Sequence, residues 1–297
     1  MGACQVLNWL SIRSRVVAVL SWVFLACPHV TQAEETIRLA TYNIRYENAG
    51  DGQDRWDKRV DAVVKYLRGL DLFGLQEVTY SQLEDLKAGL PEFQMYGVGR
   101  DDGVHAGEHA VVFYRKDLMK VINKGTFWLS ENPQQVGVAG WDAALPRTCT
   151  WLKIELLTSG KKFVVANTHF DHRGEKARYN SSLLVHDELI RLAEDLPFLL
   201  MGDFNFAPDT SSYAAIKQSK ILSDAREISQ QSPEGPNSTW NGFREIAKDR
   251  RIDHIFVRGE IGILNYSVDD PKTDSGRFAS DHQPVRVLVG FTRSVDQ

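Results

Sequence analysis

Six short segments of this chain run from apolar, β-prone residues into Asp, Glu, Asn or His. The sharpest is FLLMGDFNFAPDT, residues 198–210, where four apolar residues pass through one glycine to Asp203 and Asn205. The others are TYNIR with Asn43, LQEV with Glu77, NTHFDH with His169, Asp171 and His172, RIDHIF with Asp253 and His254, and SDHQPV with Asp281 and His282. One strand-end Asp or Asn is explained by turn chemistry, because its side chain bonds the local backbone. Six such ends are not, since carboxylates and imidazoles are costly to gather away from water unless something pairs them. The pattern favours a fold in which these tips converge on one site.

The elements between the tips alternate. Apolar alternation and β-branched content predict strands at 37–44, 72–78, 109–114, 121–129, 149–157, 162–168, 198–201, 252–257, 261–268 and 284–289. Helical spacing of Val60, Val63, Val64 and Leu67 predicts a helix over 56–68. A second helix is expected over 81–90, ending at Gly89-Leu90-Pro91. A third is expected over 175–193, with Tyr179, Leu183, His186, Ile190 and Ala193 on its buried face. The stretch 229–238 is polar and reads as a surface loop. No Pro-, Gly- or Ser-rich linker divides the chain and no repeat is evident, so strands and helices belong to one α/β domain with more than one sheet.

The first 33 residues stand apart. Arg13 and Arg15 precede an apolar run over 16–26, followed by Pro28 and Thr31-Gln32-Ala33. This is the pattern of a secretory signal peptide cleaved after Ala33, leaving a domain over 34–297. The apolar run is shorter than the ~20 residues a membrane span needs, so no transmembrane segment is expected in the mature chain. The mature protein is expected to be secreted or periplasmic, and monomeric. A lipid anchor at Cys27 is disfavoured, because Phe24-Leu25-Ala26 is a poor lipobox. The leader removes two arginines and no acid, so the formal charge moves from −4 to about −6. An acidic chain is not expected to form a stable nucleic-acid complex, which depends on phosphate neutralisation. Cys4 and Cys27 leave with the leader, so Cys149 has no intrachain disulfide partner and reads as a small core residue in TCTWLKIEL.

Residues two apart in an extended strand face the same way, so Asp203 and Asn205 are expected to point together, as are Asn167 and His169. Carboxylates with an Asn carbonyl suit Mg²⁺, with Mn²⁺ or Ca²⁺ as alternatives. The sequence contains no HExxH and no CxxC, which argues against zinc. It also lacks a P-loop and a Gly-x-Ser-x-Gly elbow.

TYNIR, LQEV, NTHFDH, GDFN, RIDHIF and SDHQPV, in this order over about residues 36–290, resemble the endonuclease/exonuclease/phosphatase superfamily with its DNase I-like fold. Within it, TFWLSENP and GWDAALPRTCTW resemble a secreted bacterial branch related to the deadenylase-like members. The resemblance implies a four-layer α/β sandwich: two mixed sheets packed face to face, with helices on both outer sides and the site at one end. It implies Mg²⁺-dependent hydrolysis of a phosphoester, either a diester or a monoester. Position by position, Asn43, Glu77 and Asp281 fall where the family positions or binds metal. Asp203 falls where it aligns or deprotonates the attacking water, with Asn205 helping. His282 falls on the catalytic histidine, Asp253 on the carboxylate that orients it, and His169 on a second histidine that contacts phosphate.

Four further residues are candidates for substrate contact. Arg147 has the fork that suits phosphate, and Trp141 has a face that suits a base or sugar. Glu108 is a candidate for the rim, and Arg178, on the helix after NTHFDH, is a candidate for a phosphate contact. The expected substrate is a phosphorylated small molecule, a nucleic acid or a lipid head group. Two other readings compete. A catalytically inactive relative that binds a phospho-ligand or a protein would have lost key polar residues, and none of the six segments has. A sphingomyelinase-like phospholipid phosphodiesterase would need an exposed aromatic hairpin, for which only TFW and WNGF offer material.

Overall fold

A computed structural model describes residues 1–2, 35–218 and 221–291; the expected leader cleavage after Ala33 lies outside them. Twelve strands are seen among the described residues: β1 (Glu35–Asn43), β2 (Leu72–Val78), β3 (Phe93–Tyr96), β4 (His109–Arg115), β5 (Met119–Trp128), β6 (Thr148–Leu156), β7 (Lys162–His169), β8 (Phe198–Asp203), β9 (Ser223–Asp224), β10 (Asp253–Arg258), β11 (Gly262–Val268) and β12 (Val285–Phe291). The helices are α1 (Trp56–Leu67), α2 (Tyr80–Gly89), α3 (Glu175–Ala193), α4 (Ser211–Ile216) and α5 (Ala225–Ile228), with a 3₁₀ turn at Ala49–Asp54.

The strands form two six-stranded sheets, ordered β11-β12-β1-β2-β4-β3 and β5-β6-β7-β8-β10-β9. Each is mixed, with one parallel pair: β1 with β2 and β7 with β8. A parallel pair cannot be joined by a tight hairpin and needs a crossover. Here α1 supplies one crossover and α3 the other.

Strand parity separates the layers. Ile37, Leu39, Leu72, Val165, Met201 and Ile255 belong to the apolar layer between the sheets. Their neighbours Ala40, Tyr42, Phe73 and Phe113 pack under α1 and α2. Val164, Ala166, Phe198, Leu200 and Phe256 pack under α3 and α4. Both faces of the central strands are buried, which is why FLLM is a continuous apolar run rather than an alternating one. The result is the four-layer α/β sandwich. Among the described residues no helix is long and apolar enough to cross a membrane.

Local chemistry sets the helix ends and faces. Thr79 and Gln82 form a reciprocal capping box that starts α2. α3 differs from the expected face. It buries Ala177, Ser181, Ser182, Val185, His186, Leu189 and Ala193, while Tyr179 is 41% exposed. Val185 and Leu189 pack against the sheet together with the small residues, and of the expected face His186 and Ala193 are buried while Tyr179 is not. Ser182 satisfies its hydroxyl internally by donating to the Arg178 carbonyl at 3.0 Å. Cys149 is fully buried on β6, where burial pushes its thiol pKa up.

Candidate active site

The apolar layer between the sheets gives way to polar groups at one end. β7, β8 and β10 are neighbours, and their register sets His169 beside Asp203 and Asp203 beside Asp253. All three share the parity of Val165, Met201 and Ile255, so they face the opposite sheet. Asn43, at the end of β1, shares the parity of Ile37 and Leu39 and looks in from the other side.

A buried polar floor lies beneath them. Gln76 Nε2 donates to Thr41 Oγ1 at 3.0 Å and to Asn167 Oδ1 at 2.6 Å. Asn167 Nδ2 donates to the Leu75 and Val111 carbonyls, both at 2.9 Å. Those carbonyls need a partner because the β2–β4 pairing shifts between Leu75 and Val78. Asn167 reaches them only because residue 74 is glycine. A Cβ there would sit 2.6 Å from Asn167 Cγ. The same irregularity aims Glu77. An extended backbone would turn Gln76 and Glu77 to opposite faces. Glu77 instead adopts φ 61°, so Gln76 joins the floor while Glu77 lines the cleft.

Above the floor, Asn43 Nδ2 donates to Glu77 Oε1 and Asp203 Oδ2, each at 3.0 Å. Asp203 Oδ2 is also 3.5 Å from His169 Nε2 and 3.8 Å from His282 Nε2. Asp203 Oδ1 accepts the Asn205 backbone N–H at 2.9 Å. Asn205 reaches the cleft through a left-handed backbone, φ 51°, and not by the strand extension expected above. Asp253 Oδ2 pairs with His282 Nδ1 at 2.9 Å, which leaves His282 Nε2 facing Asp203.

Burial raises the Asp203 carboxyl to about 7; the Asp253 charge adds to this and His282 opposes it. Burial disfavours a charged His282, but Asp253 and Asp203 outweigh it and lift the imidazolium to about 10. His169 is driven well down by burial and by the Arg147 and Arg100 charges, so it is neutral at pH 7. Burial also raises Asp281; His282 opposes the shift and Glu77 reinforces it.

Two groupings in the site have donors for a cation. Asp203, Asp253 and His282 offer ligand atoms within 4.8 Å of one another. That set is partly committed, because the Asp253–His282 hydrogen bond would have to open. Glu77 and Asp281 form the second grouping. Glu77 accepts from the Asn43 amide and the Tyr46 N–H, and Asp281 from the Ser280 hydroxyl at 3.3 Å. These neutral donors leave two mutually repelling carboxylates on the cleft wall. An all-oxygen pair of carboxylates facing the cleft fits a hard divalent cation.

The cleft encloses about 490 Å³. Glu77, Asp281, His169, Asp203, Asn205 and His282 line it, and Asn43 and Asp253 support it from behind. Glu108 and Arg147 line it too. Glu108 is held by Arg100 at 2.8 and 2.9 Å. Burial lowers the Arg147 pKa, and the group lies 3.4 Å from Asp171 and 2.9 Å from His172 Nδ1. Its Nη1 is buried without a protein partner. Trp141 is off this cleft, its backbone N–H donating to the Glu131 carboxylate. Arg178 is also off it and donates to the Asp171 carbonyl at 3.0 Å.

Arg45, Tyr46, Leu145, Arg250 and Ile252, which sequence pattern did not single out, complete the wall with His172 and with Trp240 of the WNGF segment. Trp240 comes from the loop before β10, bridges to His282 and stacks on Arg250 at 3.9 Å. The only available signal was position: Arg250 and Ile252 directly precede Asp253.

The family described as Endonuclease/Exonuclease/phosphatase matches residues 40–282. An endonuclease/exonuclease/phosphatase of Bacteroides vulgatus is 38% identical, covering 87% of this chain and 100% of that one, with a TM-score of 0.83. A mannosyl-6-phosphatase of Bacteroides thetaiotaomicron is 37% identical, covering 86% and 100%, with a TM-score of 0.81. Nocturnin of Drosophila melanogaster is 23% identical over 306 residues, covering 84% of this chain but 46% of that protein, so the chain spans about half its length.

Proposed function

The chain belongs to the endonuclease/exonuclease/phosphatase family, and from that premise we propose that it is a divalent-cation-dependent phosphomonoesterase acting on a sugar phosphate. The observation that carries the chemistry is the contact of Asp203 with His169 and His282, the latter held by Asp253. Support for a sugar phosphate is the 37% identity to a mannosyl-6-phosphatase along that chain's whole length. The formal charge of −4 also speaks against a substrate held as a polyanion.

The proposed roles follow from the geometry. His282, cationic at neutral pH, donates from Nε2 to a phosphoryl oxygen, and Asp253 keeps its ring oriented. Asp203, with its pKa near the operating pH, takes the proton of the attacking water. Asn205 and neutral His169 orient that water and the phosphate. Arg147 offers its unpartnered Nη1 toward the phosphate, while Asp171 and His172 fix its plane. Glu77 and Asp281 would hold Mg²⁺, and Asn43 positions Glu77 against Asp203. When bound, the cation supplies charge neutralisation for the phosphoryl and leaving-group oxygens. The leader pattern adds the proposal that this chemistry takes place outside the cytoplasm.

The test is hydrolysis by the chain from Glu34 onward, with Mg²⁺ or EDTA. The panel holds hexose 6-phosphates, p-nitrophenyl phosphate, bis-p-nitrophenyl phosphate, single-stranded DNA and a phospholipid. Phosphate release from the hexose phosphates should be metal-dependent and should fall by roughly 10³-fold or more in His282→Ala. Faster turnover of the diester, DNA or phospholipid would replace the sugar-phosphate reading. EDTA-insensitive turnover would remove the cation.

A further inference from the structure

The catalytic cleft does not end at its wall. A second depression of about 500 Å³ adjoins it, and His172, Asn205, Arg250 and Ile252 line both. The second depression is otherwise bounded by Glu175 and Arg178 on one side and by Thr210, Ser211 and Ser212 on the other. Each space alone is within the ~300–1,000 Å³ that holds a small ligand. A phosphate and one hexose fill only the first. The second shares those four residues with it and is lined mostly by polar side chains.

Resting on the sugar-phosphate reading above, we infer that the substrate is an oligosaccharide carrying a terminal phosphate monoester. Its phosphorylated sugar occupies the catalytic cleft, and the following sugars run over the Asn205–Arg250 saddle into the second depression. The lining matches this chemistry. Hydroxyls, a carboxylate and guanidinium groups bind vicinal hydroxyls by directional hydrogen bonds. Arg178 is steadied by the Asp171 carbonyl and Arg250 by the face of Trp240, so both are presented in fixed orientations. A nucleic acid fits less well. A carboxylate, Glu175, lines the depression and would repel backbone phosphates, and the aromatic ring in the depression, Phe206, is only 3% exposed, too little for a base to stack on.

The experiment compares kcat/KM for a trisaccharide 6-phosphorylated on its terminal sugar with that for the free hexose 6-phosphate. p-Nitrophenyl phosphate and a 5′-phosphorylated trinucleotide run alongside. The wild-type protein should favour the trisaccharide by roughly tenfold, the effect of one or two net hydrogen bonds. In Ser211→Trp, which fills the depression, that ratio should fall toward one. Glu175→Ala should lower it partway, and it serves as the second test if the tryptophan impairs folding. Equal kcat/KM for both sugars in the wild type would overturn the inference and leave the sugar-phosphate reading standing. So would an unchanged ratio in both variants. A preference for the trinucleotide would also overturn it, in favour of a nucleic-acid substrate. Turnover of p-nitrophenyl phosphate with none of either sugar would instead sink the sugar-phosphate reading, and this inference with it.

Discussion

Asp253 and His254 are consecutive residues of β10, yet they enter two buried polar clusters on opposite faces of one sheet. On the outer face His254 meets Asp224, Arg251 and Tyr213. Arg251 donates to Asp224 at 2.7 Å and to His254 Nδ1 at 3.0 Å. Tyr213 donates to the same carboxylate at 2.8 Å, and His254 Nε2 donates to the Phe206 carbonyl at 3.0 Å. One cation meets one carboxylate, and a neutral ring joins them. Burial alone would raise Asp224, but Arg251 overrides it and holds the carboxyl low. On the inner face Asp253 meets Asp203 and His282. Asp253 Oδ1 has no partner, and Asp203 is pushed up to about 7. The outer cluster is matched and fixes the chain. The inner cluster is unmatched and is poised to take up a proton, a cation or a phosphate.

The contrast is broken most strongly by neutralising one carboxylate in each cluster. Asp203→Asn should lower turnover of any accepted phosphoester by at least roughly 10³-fold, about 4 kcal/mol of barrier. Its thermal midpoint should hold or rise, because the repulsion between two buried carboxylates, Asp203 and Asp253, is removed. A variant that turns over at the wild-type rate would end the assignment of Asp203. Asp224→Asn should do the reverse. Leaving Arg251 buried without its carboxylate should cost about 3–5 kcal/mol of stability in denaturant melts, while kcat of the folded fraction changes little.

A smaller effect comes from pH. His254 is held down to about 4, chiefly by burial and then by Arg251. The unfolded ring, near pKa 6.5, takes a proton first, so this contribution is complete above pH ~6.5 and is lost as pH falls toward 4. At pH 5 the stability advantage of the wild type over His254→Phe should be about 2 kcal/mol smaller than at pH 7. An imidazole resonance for His254 that titrates near 6.5 would contradict this. The smallest expected effect is on the unmatched side. Mg²⁺ at about ten times its Kd should stabilise the wild type by about 1.4 kcal/mol, and the gain should vanish in Glu77→Gln and Asp281→Asn. An equal gain in those variants would move the cation to the Asp203, Asp253 and His282 group.

Much of the fold was legible because its signals are local. The apolar run at Phe198–Met201 needs only its own composition to read as a strand buried on both faces, β2 reads likewise from its short apolar run, and β1 and α1 read from periodicity. β3, β9 and α4 are too short to show a period, and what defines them is their pairing or their caps. The buried face of α3 is turned from the expected one, because Ala177, Ser181 and Ser182 pack beside Val185 and Leu189 while Tyr179 lies outside. The polar tips at Asn43, Glu77, His169, Asp203, Asp253 and His282 were legible as a group because gathering charge is costly enough to need a reason. Trp240 and Arg250 carried no such mark.

The sequence by itself determined which residues carry charge at strand ends, and in what order. It also determined that the strands bearing them are buried on both faces, since burial writes itself into hydrophobicity. Only the tertiary structure decided which of those charges are neighbours. Asp203 lies beside Asp253 through the antiparallel pairing of β8 and β10, and His282 arrives from the far end of the chain. It also decided that Asp253 has an orphan oxygen while Asp224 has none, as far as the described residues show. The reason is one of range. Hydrophobic periodicity is a property of a few consecutive residues, whereas a carboxylate's pKa is set by charges within several ångströms that can be separated by a hundred positions in the chain.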